Sequence, residues 1–252
     1  MLLGLPQAGA DKLAGPSALR GARKPVYLLI RLREKSMADP SKVLSHFQKP
    51  AGWLGRLNLR NMNRRHSKLT DWGLRHVPIE ILDTILDVGC GGGRTVQKLA
   101  VLAREGRVYG IDHSGASMAV AAKTNRQAIE TGRVEIRLGS VSQLPFADRM
   151  FDLVTAVETH YYWPELPADV REVLRVLKGG GRLIMIAEAY RGGKFDKRLR
   201  RFAELLNSAN LSYLTVDEHR ALLAEANYSE VQVFEEYDKG WLCAVGRRPF
   251  EA

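Results

Sequence analysis

The sequence predicts an α/β protein built on a mainly parallel sheet with helices on both faces. Three observations predict this class. Short apolar runs alternate with helical patterns from Ile81 onward, a glycine-rich turn follows the first apolar run, and two strand-like runs lie near the end of the chain. Strands that alternate with helices form βαβ units, whose crossovers cover both faces of a sheet.

The predicted elements follow from these patterns in chain order. Apolar runs predict strands at 84–86, 107–112, 134–139, 151–157 and 182–187, and helical spacing predicts helices at 94–102, 114–125 and 167–177. A helix from 217 to 226 and two strand-like runs, 229–237 and 240–246, complete the set. The connection Asp238-Lys239-Gly240 fits an antiparallel hairpin, because three-residue loops with a glycine join such strands.

Composition excludes several classes of protein. The chain has 252 residues, 45% of them hydrophobic, and no apolar run near the ~20 residues of a membrane helix. Its two cysteines, Cys90 and Cys243, exclude a disulfide scaffold and favour a reducing compartment, for which we predict the cytoplasm. The histidines are scattered without ligand spacing, so no metal site is predicted.

The positive charge is confined to the first third of the chain. Residues 1–36 have seven Lys/Arg against two Asp/Glu, residues 37–76 have eight against two, and the remainder has 23 against 24. We predict a disordered extension over 1–36, either a targeting peptide or the product of a start upstream of Met37. The second is favoured because three prolines interrupt any amphipathic helix. Such a basic segment could contact an anionic membrane surface.

Helical segments are predicted on either side of the strand-rich part. Residues 37–80 form a predicted helical cap and 81–252 the main domain, in which 195–209 is a basic amphipathic helix. The aromatic residues of these segments are either a lid over an apolar substrate pocket or the core beneath the cap helices. They are Trp53, Trp72, Phe195, Phe202 and Tyr213.

A glycine-rich turn is the main functional signal. Gly89, Gly91 and Gly93 lie between a strand and a helix, where they permit a tight turn and the close approach of a nucleotide-like ligand. The dinucleotide fingerprint needs glycine at 94, where the chain has Arg94. Asp87 before the turn disfavours a pyrophosphate and favours a cationic ligand such as S-adenosylmethionine (SAM).

A second carboxylate, Asp112, ends the next predicted strand. There it could accept hydrogen bonds from both ribose hydroxyls of an adenosine, a device that dinucleotide and SAM enzymes share. The alternative is a role as N-cap of the helix that follows, for which Ser114 is better suited. Asp112 therefore predicts a ribose without choosing between the two cofactors.

Five motifs together resemble the class I SAM-dependent methyltransferases, especially the small-molecule branch that includes quinone-biosynthesis enzymes. They are D-V-G-C-G-G-G at 87–93, G-I-D-H-S at 110–114, L-P-F at 144–146, F-D-L-V at 151–154 and E-V-L-R-V-L-K-G-G-G at 172–181. The resemblance covers about residues 80–190. It implies a Rossmann-like seven-stranded, mainly parallel sheet with an antiparallel last strand.

The resemblance also implies roles for individual residues in binding SAM. Asp87 and the backbone of the three glycines would hold the methionine part, Asp112 the ribose, and His113 the adenine face. The family's usual G-D-A after the third strand is replaced here by Gly139-Ser140-Val141, so Ser140 and Val141 would line the adenine with weaker hydrogen bonding.

The segment after the fourth strand, Glu158-Thr-His-Tyr-Tyr-Trp163, should lie beside the transferable methyl group. His160 is the first candidate for a general base because the usual pKa of histidine is near 6.5, and Glu158 is the second. The alternative is that the aromatic residues only cover the adenine pocket and that His160 is an ordinary loop residue.

The predicted function is methyl transfer to a small or lipid-like acceptor by in-line displacement. Nucleic acid is not the expected acceptor, because the (Asn/Asp)-Pro-Pro-aromatic motif of amino-directed nucleic-acid enzymes is absent from 158–163. Two alternatives stay open: an NAD-type oxidoreductase, and a non-catalytic SAM- or RNA-binding module that uses the basic N-terminal segment. Steep salt dependence of RNA binding would favour the last.

Overall fold

The computed structural model describes residues 67–197 and 213–250. Its first half contains α1 (Ser67–Leu74), β1 (Thr84–Val88), α2 (Arg94–Leu102), β2 (Arg107–Asp112), α3 (Gly115–Thr124), α4 (Arg126–Glu130) and β3 (Val134–Leu138). Its second half contains β4 (Phe151–Val157), α5 (Leu166–Val176), β5 (Leu177–Ala187), α6 (Val216–Glu225), β6 (Ser229–Glu236) and β7 (Trp241–Arg247). Single 3₁₀ turns lie at His160–Tyr162 and Tyr237–Lys239.

The strands form one seven-stranded sheet in the order β3-β2-β1-β4-β5-β7-β6. The pairs from β3 to β5 are parallel, and β7 is antiparallel to both of its neighbours. The predicted Rossmann-like sheet with an antiparallel last strand is thus confirmed. The strand order reverses between β1 and β4, and in open α/β sheets ligands bind at the carboxyl end of such a reversal.

The sheet has a hydrophobic core on each face, as the strict alternation of side chains along β1 and β4 requires. Leu86 and Val154 belong to the core that α5 and α6 cover, whereas Ile85 and Leu153 belong to the core beneath α1 and α2. All four are at most 2% exposed. Two covered faces explain why these strands have continuous apolar runs.

Helix α1 settles one of the open alternatives. Trp72 is 8% exposed, belongs to the core under α1 and α2, and packs its ring 5.7 Å from that of Trp241. A Cβ at Gly73 would overlap Ile186, so the helix lies very close to β5. For Trp72 the lid interpretation is therefore wrong, and the core interpretation is right.

Strand β5 differs from its prediction. It begins at Leu177, directly after α5, and so includes residues 178–181, which precede the strand predicted at 182–187. Leu177 pairs with Phe151, and the register then shifts before Arg182 pairs with Leu153. Gly180 has a φ of 81°. This irregularity takes up the additional residues and lets the strand continue across the glycine run.

Several predictions fall on residues outside the described ranges. These are the extension over 1–36, the cap as far as residue 66, most of the helix at 195–209, Trp53 and Phe202. Within the described ranges, the helix predicted at 217–226 is confirmed as α6, with a complete capping box between Thr215 and Glu218. No helix in these ranges is long and apolar enough to span a membrane.

Candidate active site

The glycine turn between β1 and α2 is held by the neighbouring strand. The backbone amides of Gly89 and Cys90 both donate to the carbonyl of Ile111, at 2.8 and 2.9 Å. Gly89, Gly91 and Gly93 have φ angles of 70°, 51° and 74°. A Cβ at Gly89 would also overlap the side chain of Thr159. The turn therefore needs glycine both for its backbone conformation and for its contact with the segment after β4.

Asp87 lies beneath this turn and is 2% exposed. One carboxylate oxygen accepts a 2.6 Å hydrogen bond from the hydroxyl of Thr155, its register partner on β4. Burial and the nearby charge of Asp112 raise the pKa of Asp87 to about 7, although the Thr155 bond opposes this shift. The site thus holds a buried acid whose ionised form would be stabilised by a cation.

Asp112 ends β2 and organises the same turn. Its Oδ2 accepts from the amide of Gly91 and its Oδ1 from that of Ser114, each at 2.9 Å. The N-cap of α3 is Ser114, whose hydroxyl accepts from the amide of Ser117. The N-cap alternative for Asp112 is therefore wrong. A carboxylate has about four acceptor positions, so Asp112 retains capacity for further donors.

The candidate adenine residues lie near the end of β2 and after β3. The side chain of His113 is 55% exposed, with its Nδ1 3.9 Å from Asp112 Oδ1. Ser140 is exposed, and its hydroxyl accepts from the amide of Ser142 at 3.2 Å. Val141 is 7% exposed and packs in the core under α5 and α6. Only His113 and Ser140 therefore present side chains to the solvent.

A second polar group lies at the carboxyl end of β4. Glu158 adopts a φ of 59°, unusual for a residue with a side chain, and its Oε1 accepts from the amide of Glu188 after β5. Burial raises the pKa of Glu158 to about 7, opposed by a hydrogen bond with Tyr161 and by the Glu188 amide. The ring of Tyr161 lies 5.6 Å from that of Tyr213.

The phenols of this group are also affected by burial. Burial and the neighbouring Glu158 charge raise the pKa of Tyr213 to about 12, and the pKa of Tyr161 also lies well above its usual value. Both hydroxyls therefore keep their protons at neutral pH. The end of β4 presents a carboxylate within a set of neutral hydrogen-bonding groups.

His160 is buried beside this group, with 1% of its surface exposed. Its Nε2 lies 3.2 Å from the Nε2 of His219 on α6. Burial, together with His219, holds the pKa of His160 well below 6.5. The unperturbed pKa that made His160 the first candidate base does not apply in this environment.

The fold brings the predicted residues into two adjoining groups. The cofactor candidates Asp87, Asp112 and the glycines share the turn, and Thr159 connects it to Glu158 and His160 through its contact with Gly89. Two further residues of these groups, Thr155 and His219, were not predicted from the sequence. The strand register could have identified Thr155, because it lies opposite Asp87. Nothing in the sequence relates His219 to His160, 59 positions earlier.

Comparison with known proteins identifies this part of the chain. Residues 86–185 match the family model described as "Methyltransferase domain". These residues form a class I SAM-dependent methyltransferase domain. The matched range begins within β1 and ends within β5, so it contains the glycine turn and both groups of polar residues.

Two curated relatives share sequence with this chain. One is the 27-O-demethylrifamycin SV methyltransferase of Amycolatopsis mediterranei, 29% identical over 64% of this chain and 59% of that protein. The other is the demethylmenaquinone methyltransferase of Symbiobacterium thermophilum, 35% identical over 41% of this chain and 42% of that protein. The chain thus spans less than two thirds of the length of either relative.

Solved structures agree on the fold. A SAM-dependent methyltransferase from Aquifex aeolicus matches 76% of this chain and 97% of its own with a TM-score of 0.59 and 18% identity. A methyltransferase from Haloferax volcanii, in complex with its Trm112 activator, matches 78% and 95% with a TM-score of 0.65 and 21% identity. At these identities the likeness supports the architecture of the methyltransferase domain alone.

Proposed function

We propose that this protein transfers a methyl group from SAM to a small or lipid-like acceptor. The observation that carries the proposal is the buried pair Asp87 and Asp112 at the glycine turn. Asp87 is 2% exposed, and no described Lys or Arg forms an ion pair with it. A cationic ligand would supply the missing positive charge, and the methionine part of SAM carries both an ammonium and a sulfonium.

The residues at the turn fit SAM in three respects. The ionised Asp87 and the backbone of the three glycines would hold the methionine part, and Asp112 would accept the ribose hydroxyls. His113 and Ser140 would line the adenine, with Val141 packed behind them. When bound, SAM supplies a methyl group on a positively charged sulfur. A dinucleotide would instead place a pyrophosphate beside the carboxylate of Asp87, which argues against the oxidoreductase alternative.

Glu158 is the better candidate for the proton acceptor in this reaction. A general base is most effective when its pKa lies near the working pH, and the pKa of Glu158 is about 7 while that of His160 is strongly lowered. In this proposal Glu158 takes the proton that a hydroxyl acceptor loses as its oxygen bonds to the methyl carbon. The bond between that carbon and the sulfur of SAM breaks in the same step, and S-adenosylhomocysteine leaves. His160 then serves as a neutral hydrogen-bonding group.

The acceptor is proposed to be a hydroxyl-bearing ring compound of low charge. Aromatic side chains, Tyr161 and Tyr213 among them, surround Glu158 and suit a flat apolar molecule with one polar edge. Two relatives are also named for small-molecule acceptors, 27-O-demethylrifamycin SV and demethylmenaquinone.

The wider organisation is also a proposal. We assign residues 37–80 and 195–209 to a helical cap over the acceptor site and 1–36 to an extension that could contact an anionic membrane. Cys90 and Cys243 are buried free thiols, which suits a reducing compartment such as the cytoplasm.

Methyl transfer is tested with a panel of acceptors. The full chain is incubated with SAM carrying a radioactive methyl group and with phenols, hydroquinones, amines, thiols and a duplex RNA. We expect label in a phenol or hydroquinone and none in the RNA. The proposal is wrong if no acceptor is labelled and S-adenosylhomocysteine does not bind.

Replacing Asp112 with alanine should weaken SAM binding by about 1–3 kcal/mol, the cost of losing hydrogen bonds to a charged group. Calorimetry with S-adenosylhomocysteine measures the change. Asp148→Ala is a matched control, because that aspartate is paired with Arg175 away from the turn. Unchanged affinity of the Asp112 variant would show that the ribose binds elsewhere.

A further inference from the structure

His160 and His219 form a buried pair that joins two distant parts of the chain. Each is 1% exposed, and their Nε2 atoms lie 3.2 Å apart. His160 belongs to the 3₁₀ turn after β4, whereas His219 lies in the first half of α6. Two buried imidazoles at this distance form one N–H···N hydrogen bond, in which one ring donates and the other accepts.

The direction of that bond follows from a second contact. The Nδ1 of His219 lies 2.7 Å from the carbonyl oxygen of Thr215. A carbonyl only accepts, so this Nδ1 carries a proton and donates. A neutral imidazole has a single N–H, and the Nε2 of His219 must therefore accept from the Nε2–H of His160. It follows that the Nδ1 of His160 carries an unprotonated lone pair.

Burial keeps both rings neutral, as this deduction requires, because it lowers the pKa of each histidine. Tyr161 lies beside His160, with ring centroids 4.9 Å apart, and itself contacts Glu158 and Tyr213. On α6, the charge of Glu218 acts on His219. Glu218 is itself held by the amide of Thr215 and by Arg191.

The lone pair on Nδ1 of His160 accepts no hydrogen bond from the described residues. Its Nδ1 is fully buried and has no hydrogen-bond partner there. A buried acceptor without a partner is costly, so such groups in native proteins usually have a function. The residue before it, Thr159, contacts Gly89 of the cofactor turn. The unused acceptor thus lies on the segment that adjoins the proposed SAM site.

We propose that His219 is a positioning residue that fixes His160 as a neutral hydrogen-bond acceptor for the methyl acceptor. This inference rests on the proposed function and narrows the substrate class. The molecule that binds beside His160 must present an O–H or N–H to Nδ1. Because Glu158 takes the proton of the reacting group, the molecule needs a second O–H or N–H for His160. Hydroquinones, diols and primary amines satisfy this requirement, whereas thioethers and tertiary amines do not.

The tautomers can be measured without any ligand. Nitrogen NMR of the ¹⁵N-labelled full chain reports which ring nitrogens carry protons, and a His160→Gln variant assigns the signals. We expect His160 to be protonated on Nε2 and His219 on Nδ1, with scalar coupling across the Nε2–H···Nε2 bond. A protonated Nδ1 on His160, or a protonated Nε2 on His219, overturns the inference.

Two amide substitutions separate positioning from packing. In His219→Gln the amide oxygen can replace Nε2 and still accept from His160. In His219→Asn the amide replaces Nδ1, so the contact with Thr215 is kept but His160 is not reached. We expect the asparagine variant to populate both tautomers of His160 and to lose about tenfold or more in kcat/KM for the labelled acceptor. The glutamine variant should stay within about threefold of the wild type.

Each further outcome is informative. Equal kcat/KM in the asparagine variant and the wild type would overturn the positioning role while leaving methyl transfer intact. Equal losses in both variants would mean that His219 matters only for packing. If the wild type neither methylates a panel compound nor binds S-adenosylhomocysteine, the proposed function fails, and the positioning role with it. The NMR result would then still report the tautomers of the pair.

Discussion

Replacing Glu158 with glutamine is expected to lower kcat by about 10²–10⁴-fold, the usual contribution of a positioned general base. Glutamine keeps the size of the side chain and its acceptor for the amide of Glu188, but it cannot take a proton. SAM binding should change little, because Glu158 lies beyond the glycine turn. The measurement is steady-state methyl transfer to the labelled acceptor at saturating SAM.

The dependence of kcat on pH is a second test of Glu158 as the base. Glu158 acts as a base only when ionised, so wild-type kcat should rise as the pH passes through about 7, the raised pKa of this carboxyl. Tyr161 and Tyr213, which face it, stay protonated throughout this range. The rise should be absent from the residual activity of the glutamine variant.

The matched control is Glu165→Gln. Glu165 is an exposed carboxylate only seven positions further along the chain. Its replacement should leave kcat unchanged. If Glu158→Gln retains at least half of the wild-type kcat across the pH range, Glu158 is not the base.

Replacing Asp87 with asparagine should have opposite effects on cofactor binding and on the stability of the free protein. Loss of the charge should weaken SAM binding by about 1.5–3 kcal/mol, or roughly 10- to 150-fold, the range for hydrogen bonds to charged groups. The effect of the substitution on the free energy of unfolding depends on pH. The pKa of Asp87 is about 7 in the folded protein and near 3.8 in the unfolded chain, so the folded state binds more protons between these values.

It follows that the free energy of unfolding falls as pH rises from about 4 to 7 and is then constant. The asparagine variant lacks this decrease in the free energy of unfolding, because its side chain does not titrate. The ligand-free variant should therefore be at least as stable as the wild type at pH 8, as measured by its thermal midpoint. Added SAM should raise that midpoint much less than it does for the wild type.

Asp152→Asn is a control variant for which we expect the opposite effects on stability and SAM binding. Asp152 lies at the start of β4, where it accepts from the amide of Thr84 and pairs with Lys178. Its replacement should lower stability and leave SAM affinity unchanged. An Asp87 variant that binds SAM as tightly as the wild type would show that the charge does not contribute to binding.

Most of the sheet could be predicted because its strands are buried on both faces and its helices are amphipathic. The strand at 107–112 and the helix at 94–102 have the predicted bounds, and the hairpin is present. The strand predicted at 182–187 begins five residues earlier, because glycines favour turns locally while strand pairing with β4 and β7 favours extension here. Such pairing depends on distant residues and has no local signal.

The candidate site was predictable where its residues adjoin in sequence. Asp87, the glycines and Asp112 lie at strand ends that a parallel sheet necessarily brings together. The environment of the base candidates was not predictable, because it depends on burial. Burial, and after it the neighbouring His219, lowers the proton affinity of His160, whereas burial raises the proton affinity of Glu158. Neither effect is visible in the residue types themselves.

The most direct test of the account is calorimetric titration of the full chain with SAM and with NADH at pH 6.5, in two buffers of different ionisation enthalpy. We expect SAM to bind and to release a proton, because the cation stabilises the ionised form of Asp87. We expect NADH not to bind. Binding of NADH at the turn, or no binding of SAM, would contradict it.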